Sequence, residues 1–173
     1  LDQRELEIEL AAHVRRDIRI PVPPQFICCF RPWPNTRRDR EMVGILIVSH
    51  SEKAALGIAE IASQMCGNAV PVAAVGGAEG GGLGTSVPAI IEALQMLLEQ
   101  CDDVLLLPDL GSAVLSAGAA LELIGDAAAR VTVVDAPVLE GAMVGAVEAS
   151  IGSPVSRVAA VAREARNLKK LHE

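Results

Sequence analysis

His50 stands between Ser49 and Ser51, directly after the aliphatic run Val43-Gly44-Ile45-Leu46-Ile47-Val48, and no other histidine occurs between residues 14 and 171. Imidazole is the side chain whose ordinary pKa leaves it neutral and nucleophilic near pH 7 yet able to take charge. Two other segments carry groups that suit an anion. Six glycines crowd the nine positions from Gly76 to Gly84 and run into Thr85-Ser86. Asp109 and Ser112 follow a second apolar run that closes on Pro108.

Each feature has a functional and a structural reading. A glycine-rich backbone approaches an anion closely, and Thr85, Ser86 and the N–H groups of a following helix then offer donors to phosphate oxygens. The Lys of a phosphate-binding Walker loop is missing before Thr85, and a long turn without ligand has the same composition. Asp109 fits a carboxylate that holds one ring nitrogen of His50 and fixes its tautomer, or an acid that merely caps the next turn. Ser112 reads first as a helix N-cap and second as a phosphate contact. His50 alone would pass for a structural histidine. After a buried strand and facing a glycine cradle, it fits a phosphohistidine: neutral imidazole attacks a phosphoryl donor while nearby donors take up the spreading charge. On this reading a substitution Asp109→Ala slows transfer at little cost in stability.

Periodicity supplies the elements that position these groups. From Met42 the sequence predicts strands over residues 43–49, 70–75, 104–107 and 131–134. Between and after them it predicts helices over residues 52–66 (capped by Ser51), from Thr85-Ser86 to residue 100, and over 113–128, 138–150 and 155–171. Alternation of this kind gives an α/β fold, an open and mostly parallel central sheet with helices on both faces. Right-handed crossovers gather the strand-to-helix loops at one rim, where such sheets bind ligands. The three marked loops, carrying His50, Gly84-Thr85-Ser86 and Asp109 with Ser112, are expected to meet there.

Composition narrows the partners. From Met42 onward seven basic residues face fifteen acidic ones, which disfavours nucleic acid and anionic membranes. No uninterrupted apolar stretch of about 18 residues occurs, so no membrane span is expected. Cys28, Cys29, Cys66 and Cys101 match no zinc spacing. With a lone central histidine, neither a metal site nor a hydrolase triad is expected. Reduced thiols suit a cytoplasmic address. Residues 1–41 differ in character. They hold all three aromatics (Phe26, Phe30 and Trp33), five of the ten prolines and eight arginines. They are expected to form a poorly structured extension that is not native, with the natural start at Met42 and the phosphotransfer domain over residues 42–173.

Taken together, residues 43–51, Gly76-Gly77, Gly84-Thr85-Ser86, Leu107-Pro108-Asp109-Leu110-Gly111-Ser112-Ala113 and Val138-Leu139-Glu140-Gly141-Ala142 resemble the phosphotransferase subunit of the phosphoenolpyruvate-dependent dihydroxyacetone kinase. That family is related to the mannose-type enzyme IIA domains of the sugar phosphotransferase system. The resemblance implies a homodimer in which His50 accepts phosphate on Nε2 from the phosphocarrier protein HPr. It implies onward transfer to ADP on the nucleotide-binding kinase subunit, and from the ATP so formed to dihydroxyacetone. Asp109 then corresponds to the histidine's partner, and Gly84, Thr85, Ser86 and Ser112 neighbour the phosphate. No cofactor is implied beyond covalent phosphate, and a separate HPr is expected, since no HPr-like domain follows residue 173. Two alternatives remain. A mannose-type sugar transport component would use the same chemistry, although Asp109-Leu110-Gly111-Ser112 favours the dihydroxyacetone branch. A non-catalytic nucleotide-binding regulatory domain, or one built mainly for assembly, would carry no covalent phosphate.

Overall fold

A computed structural model describes residues 41–171; the extension expected over residues 1–41 falls outside them save for Glu41. Four strands form one all-parallel sheet: β1 (Val43–Ser49), β2 (Val72–Gly76), β3 (Asp103–Pro108) and β4 (Val131–Val133). Five helices accompany them: α1 (Glu52–Met65), α2 (Val87–Leu98), α3 (Gly111–Ile124), α4 (Val138–Ser150) and α5 (Val155–Glu164).

Strand β1 explains the layering. All seven of its residues are buried, as a central parallel strand requires. Its alternate side chains enter opposite cores. Val43, Ile45 and Ile47 join Ala55, Ala59 and Ala62 of α1, Ala142 and Ala146 of α4, and Val158, Ala159 and Ala162 of α5. Leu46 and Val48 join Ile90, Ala93, Leu94 and Leu97 of α2 and Ala113, Ala117 and Ala120 of α3. The small alanines let each helix lie close on the sheet. Full burial of each Ile or Leu of β1 is worth about 1.5–3 kcal/mol, so a charge placed there would break both layers at once.

The strand order is β2-β1-β3-β4. The chain leaves β1 for β2 on one side, then crosses back to β3 on the other. A topological switch point therefore lies between the C-terminal ends of β1 and β3. Val48 pairs with Pro108 in the register, and the Asp109 N–H donates to the Val48 carbonyl at 3.0 Å. Ser49 and His50 on one side and Asp109 on the other thus emerge side by side.

Several boundaries depart from the periodic reading. Strand β2 starts at Val72 rather than residue 70, because Pro71 has no N–H for the ladder. Helix α3 stops at Ile124 instead of reaching residue 128, since Gly125 takes φ 60° and a 3-10 segment follows to Arg130. Helix α5 ends at Glu164, four turns short of nothing apolar to bury: residues 166–171 are all exposed, and only a short 3-10 turn, Ala165–Asn167, continues it. The stretch Gly111–Arg130 is, by length and composition, long and apolar enough to cross a membrane. That qualifies the expectation from sequence. Its α-helical part has 14 residues, about 21 Å, against a hydrocarbon core of about 30 Å, and its Ala113, Ala117 and Ala120 pack on the sheet.

Candidate active site

Ser49 ends β1 and Ser51 caps α1, its hydroxyl accepting from the Ala54 N–H at 3.3 Å. His50 is the single residue between strand and helix, which holds its backbone from both sides. Room for so tight a turn comes from Gly76 on the neighbouring strand, where a Cβ would stand 2.6 Å from the Ser51 carbonyl oxygen. His50 keeps 23% of its side chain exposed and Asp109 17%.

The Asp109 carboxylate meets His50 twice. Oδ1 lies 2.9 Å from the ring Nδ1, and Oδ2 accepts the His50 backbone N–H at 2.8 Å. Oδ2 also accepts from the Ser49 hydroxyl at 2.8 Å. Partial burial pushes the Asp109 carboxyl up. The backbone N–H of His50, its ring, the Ser49 hydroxyl and the imidazole charge outweigh that effect and hold it below the ordinary 3.8. An ionised carboxylate only accepts, so Nδ1 carries the ring proton and Nε2 the lone pair. Nε2 faces the hydroxyl of Ser112, which then donates to it.

Ser112 is not the cap expected of it. Helix α3 begins at Gly111 with Leu110 in the N-cap position and no side-chain cap, which leaves the Ser112 hydroxyl for the imidazole. The glycine-rich turn reaches the site through its backbone. Gly84 donates its N–H to the His50 carbonyl at 2.9 Å, so that donor is already engaged. Thr85 turns to α3 and shares a 2.7 Å hydrogen bond with Ser116. Ser86 caps α2, accepting from the Ala89 N–H at 3.3 Å and donating to Glu79 at 3.0 Å. His50, Asp109 and Ser112 are therefore in direct side-chain contact, while Gly84, Thr85 and Ser86 stand around them with other partners. Ser49 escaped the sequence reading. Its signal was its place as the last residue of a strand buried on both faces, where a hydroxyl needs a partner.

Among the described residues, no group of three or more His, Cys, Asp or Glu gathers where a metal ion would sit. Cys66 and Cys101 are buried apart near helix ends; Cys28 and Cys29 lie outside the described residues.

Residues 44–159 match the family model EIIA-man, the PTS system fructose IIA component. The chain is 35% identical over 111 residues to the PEP-dependent dihydroxyacetone kinase 2, phosphoryl donor subunit DhaM, of Listeria innocua serovar 6a; the alignment covers 64% of this chain and 88% of that one. It is also 35% identical over 133 residues to the corresponding DhaM of Escherichia coli strain K12, covering 75% of this chain but only 28% of the longer relative. Among solved structures, one described as the unknown function protein EF1359 superposes with a TM-score of 0.63 at 32% identity, covering 71% of this chain and 94% of that one. The chain belongs to the EIIA-man family and, within it, to the DhaM-like phosphoryl donor subunits.

Proposed function

We propose that this chain carries a phosphoryl group on Nε2 of His50, taking it from phosphorylated HPr and passing it to ADP on the nucleotide-binding subunit of a dihydroxyacetone kinase. The observation that carries this reading is the His50–Asp109 pair. Asp109 holds the proton on Nδ1 at 2.9 Å, which leaves the lone pair on the nitrogen that faces the rim. Nε2 attacks phosphorus as the bond from phosphorus to the donor's leaving nitrogen breaks. The Nδ1 proton stays on the ring, and Asp109 offsets the positive charge that the new N–P bond brings. Ser112 swings its hydroxyl from Nε2 to a phosphoryl oxygen, at the N-terminal turn of α3 where an anion is favoured. Phosphate is carried covalently, without a separate cofactor or metal.

Exchange between proteins requires an accessible contact surface around the reacting atom. Exposed Leu83 and Leu110 supply apolar flanks on either side of His50: one adjoins Gly84 and the other Asp109. The kinase names of the relatives at 35% identity support the acceptor. A cytoplasmic address follows from that partner set. A homodimer is supported by the outer face of α3, where Val114, Leu115 and Leu123 are exposed beside the short edge strand β4; a second copy would cover it.

Intact mass after incubation with phosphoenolpyruvate, enzyme I and HPr tests the reading. One phosphoryl group per chain is expected, lost in acid and kept in base, and discharged by the kinase subunit with ADP. The His50→Gln variant should gain none. A phosphorylated His50→Gln protein, or a wild type that stays unmodified, would overturn it.

A further inference from the structure

We propose that Ser49 is a positioning residue for phosphoryl transfer: its buried hydroxyl pins Asp109 through Oδ2 so that Oδ1 keeps its hold on the imidazole. The inference rests on the reading of His50 as phosphoryl acceptor and adds a residue to it.

Ser49 is 2% exposed, so its hydroxyl has no water to fall back on. It is oriented from both sides. The Ser51 N–H donates to its oxygen at 3.2 Å, and its own O–H donates to Asp109 Oδ2 at 2.8 Å. Oδ2 thereby collects two donors, the Ser49 hydroxyl and the His50 N–H, both at 2.8 Å. A carboxylate in the turn between β3 and α3 is otherwise free to rotate about its last torsion, which is broad for Asp. Two bonds on one oxygen fix the plane of the group, and the second oxygen then has one direction left, toward Nδ1. A buried hydrogen-bond chain thus runs from the cap of α1 through Ser49 and Asp109 to the ring. The part nearest the reacting nitrogen sits on β1 and the start of α1, the most buried elements of the fold, rather than on a loop. The Ser49 bond also helps keep Asp109 below its ordinary range. His50 is the only titratable group acting on Asp109 among the described residues, so a change at Ser49 is read without interference from other charges.

The test uses the full chain with Ser49→Ala, and with Ser49→Thr, which keeps a hydroxyl on a residue suited to a strand. Nitrogen-15 spectra of the unphosphorylated His50 ring report its tautomer, carbon-13 spectra report the titration of Asp109, and rapid-quench measurements give the rate of phosphoryl uptake from HPr. Wild type is expected as the Nδ1–H tautomer. Ser49→Ala should show a mixed tautomer population, Asp109 titrating at higher pH, and uptake about tenfold slower; Ser49→Thr should return toward wild type in all three. A Ser49→Ala protein with unchanged tautomer and titration would overturn the inference, and so would an equal defect in Ser49→Thr. If wild type takes up no phosphate, the proposed function fails, while the ring and carboxyl spectra still decide the role of Ser49.

Discussion

Asp109 Oδ1 and His50 Nδ1 lie 2.9 Å apart although 59 positions separate the two residues in the chain. The same carboxylate takes the His50 backbone N–H and the hydroxyl of a buried serine. One side chain therefore orients the nucleophile, holds its backbone and satisfies a group that water cannot reach.

Removing that side chain should cost more than transfer rate. From sequence, Asp109→Ala is expected to spare stability because a strand-end turn has few packing contacts. The hydrogen bonds change that expectation: the Ser49 hydroxyl would be left without its acceptor. A buried polar group so stranded costs about 1–3 kcal/mol. Asp109→Ala should show a lowered urea midpoint as well as slower phosphoryl uptake, and an unchanged midpoint would show that the three bonds contribute no net stability.

The acid limb of stability carries the same signature. Asp109 is held below its ordinary 3.8 in the folded chain, so its bonds stabilise the protein fully at pH values above that. The contribution is lost as pH falls below 3.8 and through the folded-state value. Melting temperatures of wild type and Asp109→Asn should therefore differ most near neutrality and converge on acidification. A gap that widens in acid would reverse the assigned sign.

Ser112→Ala isolates the contact at the reacting nitrogen. Helix α3 does not depend on this hydroxyl for its cap, so the melting temperature should stay within about 2 °C of wild type. The phosphorylated form loses one hydrogen-bond donor and should hydrolyse about three- to tenfold faster. Loss of phosphate followed by intact mass over time gives the comparison.

Gly84→Ala probes the turn behind the ring. A Cβ at Gly84 would come 2.8 Å from Cβ of Ala78, and both atoms belong to short side chains that cannot fold away. The turn must shift, and with it the N–H that holds the His50 carbonyl at 2.9 Å. Reduced uptake together with a lowered melting temperature is expected. Full activity would mean that the ring keeps its place without this bond.

What the sequence made legible followed from burial. The strands β1 and β3 are aliphatic runs without interruption, and their C-terminal ends point to His50 and Asp109 before any coordinates are seen. The order of the strands brings those ends together at the switch point. The finer assignments were harder for a common reason. Ser49, Ser112 and Gly84 each carry a group whose partner lies 60, 62 or about 34 positions away, and local pattern reports only neighbours. Ser112 follows Gly111 as a cap would, yet the helix already starts at the glycine. Gly84 sits in a cradle by composition, yet its N–H is committed to the backbone of the residue it was expected to serve through a phosphate. Helix ends at Ile124 and Glu164 turned on a single positive φ and on the lack of apolar surface to cover, neither of which periodicity measures.

The bond from Gly84 to the His50 carbonyl separates two duties within one loop. Its final glycine braces the histidine from behind, while Gly80, Gly81 and Gly82, all at positive φ and exposed, form a tip that makes no such commitment. A relay has to greet a giver and a taker whose contours differ. With a pliant tip and a braced root, this protein is able to mould itself to each visitor in turn while the nitrogen that does the chemistry stays where it was.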